Sequence, residues 1–176
     1  GYTTGVDLYG EQTGNIPGRT YLNNKYGKYG WALGNLLTFI IGQGDVLVTP
    51  IQVVQMMNII ATRGNTKSPH FYLGNPSKNV NLLLKSSTWD YLQNATLKVV
   101  NHENGTGKAA RINGANIYGK TGTAQNPHGE DHSWFTGYLV KNGNPILSLV
   151  VLVEHGGKGS VEAALISHEI FKYAQK

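Results

Sequence analysis

Hydrophobic positions recur along this chain with two different periods, and the period changes from one segment to the next. Between 49 and 64, "TPIQVVQMMNIIATRG" places apolar residues at helical spacing, which predicts a helix with one face turned to a core. Its ends are marked by local chemistry. Thr49 is suited to the N-cap, Pro50 to the first turn, and Gln52 to the reciprocal half of a capping box, while Gly64 stands where helices stop. Val53, Met56 or Met57, and Ile60 form the inward face, with the methionines as core filler rather than ligands. A second helix is predicted from about Thr88 to His102, capped by Ser87 with Asp90 three residues on, and with Trp89, Leu92, Thr96 and Val99 inward. "NHENGTG" then ends it and begins a flexible loop. A third helix is predicted from Val161 to about Ala174, capped by Ser160; Ala163, Ile166, Ile170 and Ala174 share a face, with Leu165 beside them.

In the last third the period shortens to two. "NIYGKTGTA" (116–124), "SWFTGYLV" (133–140) and "PILSLVVLVE" (145–154) read as strands, the last two joined by an Asn142-Gly143 turn signal. Three strands followed by a helix predict an α+β fold, an antiparallel sheet flanked by helices with the last helix packed across it. Residues 1–45 are rich in Gly, Asn and Tyr without a sustained period, and are read as loops, a short hairpin and one short helix. Residues 66–85 carry two prolines and "NPSKNVN", which suggests short strands or loops.

Composition narrows the class. At 176 residues, with 40% hydrophobic and 14% charged, the chain suits one domain with a real core rather than a disordered segment. The longest apolar run, "ILSLVVLV" at 146–153, has strand length and falls far short of the ~18–20 residues of a membrane span. No basic-then-apolar leader opens the sequence. The absence of cysteine excludes disulfides and thiolate chemistry. The net charge of +5 is dispersed, with no basic block, so nucleic acid is not an expected partner. Asn94-Ala95-Thr96 and Asn104-Gly105-Thr106 match a glycosylation triplet that is common by chance.

The candidate chemistry sits in Lys120-Thr121-Gly122-Thr123. On a strand, Thr121 and Thr123 point to one face and Lys120 and Gly122 to the other. Two hydroxyls on one face suit an anionic group such as a carboxylate, and the glycine between them lets a ligand backbone come close. The lysine supplies charge and a proton-transfer partner. Four residues alone fit equally well a lysine-protected edge strand with threonines chosen for β propensity. Other patterns are weaker. "NGTGKAA" (104–110) lacks the first glycine and the final hydroxyl of a phosphate loop, and His168-Glu169 lacks the second histidine of a zinc protease. His128, Glu130, Asp131 and His132 read better as a solvated turn than as a metal site.

Lys120-Thr121-Gly122-Thr123 resembles the third motif of penicillin-binding proteins and serine β-lactamases. Four further segments, in order, resemble class B penicillin-binding proteins, and among them the elongation-type penicillin-binding protein 2 group. These are "TTGVDLYGEQTGNIP" (3–17), "IGQGDVLVTPIQVVQMMNIIATRG" (41–64), "HSWFTGY" (132–138) and "VVLVEHGGKGSVEAALISHEIF" (150–171). The resemblance implies that residues 1–176 are the C-terminal part of a transpeptidase domain that cross-links peptidoglycan stem peptides and binds β-lactams, without metal or cofactor. It implies that Lys120 organises protons in the cleft and that Thr121 and Thr123 bind the substrate carboxylate. The Thr123 N–H would be half of an oxyanion hole, and Gly122 would keep the strand edge open. Gly42-Gln43-Gly44 would be structural support, and His155 structural or next to the substrate.

The nucleophile such a family needs is missing. No serine is followed by lysine at the third position, and Ser77-Lys78-Asn79, which has the form of the second motif, lies on the wrong side of Gly42-Gln43-Gly44. Both motifs are therefore expected upstream, along with a membrane anchor that would hold the domain on the outer side of the cytoplasmic membrane. The remainder of the domain and cell-wall elongation proteins are the implied partners, and without that remainder one sheet edge and one helix face should lack cover. A carboxypeptidase or β-lactamase relative, and a non-catalytic binding module of the same fold, are the alternatives.

Overall fold

The computed structural model describes residues 2–176. Its elements run α1 (Arg19–Tyr26), α2 (Leu33–Ile40), α3 (Pro50–Ala61), β1 (Asn65–Lys67), β2 (Asn79–Asn81), α4 (Ser86–Asn101), a 3-10 turn at Lys108–Ala110, β3 (Asn116–Ala124), β4 (His132–Lys141), β5 (Asn144–Val153) and α5 (Glu162–Ala174). The expected α+β class holds. β3, β4 and β5 form an antiparallel sheet in that order, and β1 and β2 form a separate two-stranded ribbon. α3 and α5 pack on β4 and β5, and α4 packs on β3.

The local signals at the start of α3 are met, while the helix ends at Ala61, with Arg63 at φ 54° taking the left-handed position ahead of Gly64. The Thr49 hydroxyl accepts from the Gln52 N–H, the Gln52 side chain accepts from the Thr49 N–H, and Pro50 opens the helix. Met57, not Met56, is the buried methionine. Gly64 takes φ 92°, a conformation glycine adopts without strain, in a spot where a Cβ would lie 2.1 Å from the Leu82 carbonyl. The turn between β4 and β5 is equally local. Asn142 and Gly143 both have positive φ, 53° and 80°, as a two-residue hairpin turn with the twist of the flanking strands requires.

Elsewhere long-range contacts change the reading. Among the described residues, the stretch 2–45 holds two short helices rather than one, and the expected hairpin is reduced to a single antiparallel bridge between Asn15 and Leu47. α4 starts at Ser86 and Ser87 does not cap it. Arg63 draws both Ser86 and Asp90 into its own hydrogen bonds, at 2.8 Å to the Ser86 hydroxyl and 2.8 Å to the Asp90 carboxylate. Trp89 is buried in the predicted stripe, while Leu92, Thr96 and Val99 are half-buried and Val100 takes the innermost place. α5 is turned about one residue from the expected face. It has Val161 at the N-cap rather than Ser160, buries Ala163, Ala164, Ser167 and Phe171, and leaves Leu165, Ile166 and Ile170 exposed. The two alanines let the helix approach the sheet closely, and Phe171 meets Phe135 edge to face at 6.5 Å in the centre of the main core.

Candidate active site

β3 is an outer strand, and its free edge is the centre of interest. Thr121 pairs with Phe135, Gly122 with Trp134 and Thr123 with Ser133 on β4. Residues of one parity in an antiparallel strand direct N–H and C=O together, alternately toward and away from the neighbour. On β3 the odd residues face outward. The Ile117 carbonyl accepts from the Asn101 side chain at 2.8 Å, that of Thr121 from Lys120 Nζ at 2.6 Å, and that of Thr123 from the Gln43 side chain at 3.1 Å. The main-chain N–H groups of Thr121 and Thr123 therefore point to the same side. Gln43, the centre of Gly42-Gln43-Gly44, supports this strand from a position 80 residues away in sequence.

The side chains divide as the strand period requires. Thr121 and Thr123 share the face that carries Phe135, and Lys120 lies on the other, exposed. The Thr123 hydroxyl accepts the Gly159 N–H at 3.3 Å. The Thr121 hydroxyl lies 2.8 Å from that of Thr106, in the loop after α4. An added methyl at Gly122 would press on Trp134 Cβ at 3.2 Å.

The glycine loop after β5 is tied to this edge by close approach. Gly159 is buried so tightly that a Cβ there would lie 1.9 Å from the Gly122 carbonyl and 2.5 Å from that of Trp134. The fully buried Ser133 hydroxyl donates to the Lys158 carbonyl at 3.1 Å and accepts the Ala163 N–H at 3.1 Å, so one side chain joins β4, the loop and α5. Gly157 N–H donates to the Asp131 carbonyl at 2.8 Å, and His155 N–H to His132 Nδ1 at 3.0 Å. His132 and His155 thus brace the loop against the β3–β4 turn, while Asn126 bonds Asp131 and the His155 ring. Ser77 is bonded to His70, in the segment between β1 and β2.

Together these elements enclose a depression of about 330 Å³ lined by Thr106, Thr121, Gly122, Thr123, Asp131, Lys158 and Ser160. Four hydroxyls, one ammonium and one carboxylate converge there, a lining suited to an anionic ligand that also accepts hydrogen bonds. Sequence reasoning brought Thr121, Gly122 and Thr123 to this place but missed Thr106, Lys158 and Ser160. The available signal for Thr106 was its pair of flanking glycines, which mark close backbone packing rather than a phosphate loop. A larger depression of about 500 Å³, at the far end of the sheet around Asn116, Tyr118 and Val140, has no charged lining residue.

Residues 1–172 match the family described as penicillin binding protein transpeptidase domain. The chain belongs to that family. It is 31% identical over 204 residues to the peptidoglycan D,D-transpeptidase MrdA of Haemophilus influenzae, covering 98% of this chain and 30% of the relative. The match to MrdA of Escherichia coli K12 is 28% identical over 193 residues, covering 94% and 30%. Among solved structures, penicillin-binding protein 2 of Helicobacter pylori aligns with a TM-score of 0.83 and 31% identity over 100% of this chain and 34% of that one. The same protein in complex with MreC gives a TM-score of 0.81. The chain spans about a third of the length of the relatives it matches. This family membership agrees with the class B resemblance of the sequence. No described helix is long and apolar enough to cross a membrane.

Proposed function

We propose that this segment is the C-terminal part of a peptidoglycan D,D-transpeptidase domain, whose nucleophilic serine is supplied by the remainder of the protein. The serine attacks the carbonyl of a stem peptide's penultimate D-alanine, and the terminal D-alanine leaves. The amine of a neighbouring stem then resolves the acyl-enzyme. Thr121 and Thr123 hold the carboxylate of the leaving D-alanine. The outward N–H of Thr123 donates to the developing oxyanion, a contact worth roughly 2.7–4 kcal/mol in comparable sites. Lys120 stands across the strand edge, where its ammonium moves protons to and from the serine and the amine, and Gly122 leaves room for the peptide backbone. A β-lactam carries a carboxylate and a strained carbonyl in the same relation and acylates the same serine.

The observation that carries this reading is the free edge of β3, with two outward N–H groups beside a pocket of hydroxyls. Exposed apolar residues at Leu33, Leu37 and Ile40 on α2, and at Ile166 and Ile170 on α5, agree with helices that pack against the rest of the same domain. The likeness to a penicillin-binding protein 2 determined with MreC supports elongation proteins as partners, and cross-linking of peptidoglycan would put the domain on the outer side of the cytoplasmic membrane, anchored by a helix outside this segment. The test is labelling with a fluorescent penicillin. The full-length protein is expected to form a covalent adduct at an upstream serine, and Lys120→Ala and Thr123→Val to slow it. An unlabelled wild type would leave a non-catalytic binding module, and release of D-alanine to water with no transfer to an amine would make the protein a carboxypeptidase.

A further inference from the structure

The two motif hydroxyls do not stand in equivalent positions. Thr123 Oγ1 accepts from a main-chain N–H, that of Gly159. Such a partner can only donate, so the Thr123 proton is left for a ligand. Thr121 Oγ1 has another hydroxyl as its partner, Thr106 Oγ1 at 2.8 Å, and in that pair either atom can donate. If Thr121 donates to Thr106, its one proton is used inside the protein, Thr121 turns only lone pairs to the pocket, which repels a carboxylate, and the free proton of the pair sits on Thr106, away from the strand edge. If Thr106 donates to Thr121, the Thr121 proton faces the pocket, and the chain of two hydroxyls strengthens the outer bond by polarisation.

Resting on the transpeptidase reading, we propose that Thr106 is a positioning residue for carboxylate recognition: its hydroxyl donates to Thr121 and thereby orients the Thr121 proton toward the substrate's terminal carboxylate. The loop is built to hold it there. Gly105 approaches α4 so closely that a Cβ would lie 2.3 Å from the Val99 carbonyl. Gly107 is buried, donates its N–H to the same carbonyl at 2.8 Å, and would place a Cβ 3.2–3.3 Å from Val99, Phe135 and Val100. Glycine on both sides lets the main chain sink against α4 and β4 while Thr106 alone projects into the pocket, exposed. Burial of the side chain does not explain a threonine there, since Thr106 is exposed.

The experiment compares acylation of the full-length protein by benzylpenicillin and by its methyl ester, which lacks the anionic carboxylate. Wild type, Thr106→Val, Thr106→Ala and Thr106→Ser are measured as second-order rate constants. The carboxylate-to-ester rate ratio is expected to fall about tenfold in the valine and alanine variants, the equivalent of ~1.4 kcal/mol, and to return in the serine variant. Because the ratio is taken within each variant, a general loss of packing cancels. An unchanged ratio in both hydroxyl-free variants, whether the two rates fall together or not at all, would overturn the role of Thr106 alone. Failure of the wild type to react with either compound would remove the transpeptidase reading and this inference with it.

Discussion

Replacing Gly159 by alanine tests the join between fold and site most directly. The φ of Gly159 is not in the left-handed region, so the residue is required for space and not for backbone freedom. The new methyl would sit 1.9 Å from the Gly122 carbonyl and 2.5 Å from that of Trp134, both main-chain atoms that no rotamer change can move. Relaxed contact needs about 3.5 Å, so the loop must withdraw by about 1.5 Å. A shift of that size breaks the bond from Gly159 N–H to Thr123, at 3.3 Å, and the one from Ser133 to the Lys158 carbonyl, at 3.1 Å. Two such bonds contribute about 0.5–1.5 kcal/mol each, and a buried hydroxyl left unpaired adds about 1–3 kcal/mol. The expected loss is therefore about 2–6 kcal/mol, seen as a fall in Tm of roughly 4–24 °C. Penicillin acylation should drop further, by about a hundredfold, because withdrawal of the Gly159 N–H frees the Thr123 hydroxyl to shift on the ångström scale. Thermal unfolding and acylation rate of the full-length protein are the assays. A Gly159→Ala protein that melts and acylates like wild type would refute the argument that close approach of this loop sets the site.

Other consequences are as specific. Ser133→Ala removes the partner of both the Lys158 carbonyl and the Ala163 N–H and should cost about 1–3 kcal/mol in denaturant unfolding, where an unchanged midpoint would show water taking its place. Tyr138→Phe should be neutral or stabilising by up to about 1 kcal/mol in thermal melts. The Tyr138 hydroxyl is buried with no well-formed hydrogen bond and only a weak polar contact to Thr96, burial raises its pKa, and the ring stacking on Tyr118 at 4.7 Å survives the change. Asp7 accepts the Phe71 and Tyr72 N–H groups, and these bonds hold its carboxyl down to about 2 from 3.8. A depressed carboxyl stabilises the fold above its unfolded pKa and loses that contribution as pH falls through the folded one. Protection of the two amides from hydrogen exchange is thus expected to be constant near neutrality and to decline between about pH 4 and 2, whereas Asp7→Asn should lack it throughout.

Where neighbours in sequence settle the outcome, the chain was legible. The capping box at Thr49 and Gln52, the Asn142-Gly143 turn and the three strands all depend on contacts within a few residues, so composition and spacing suffice to place them. The alternation that puts Thr121 and Thr123 on one face and Lys120 on the other is likewise a property of any strand. Contacts between distant segments decided the rest. Arg63 fixes the start of α4 from 23 residues away, which no cap signal at Ser87 reveals. Small residues at Ala163 and Ala164 turn α5 because the sheet can come closest there, against the apolar count that favoured Ile166 and Ile170. The pocket is assembled from the loop after α4, the edge of β3 and the glycine loop before α5, brought together by close approaches at Gly105, Gly107 and Gly159. In the sequence those glycines look like ordinary turn residues. What distinguishes them is which backbone lies against them, and that is settled by tertiary packing.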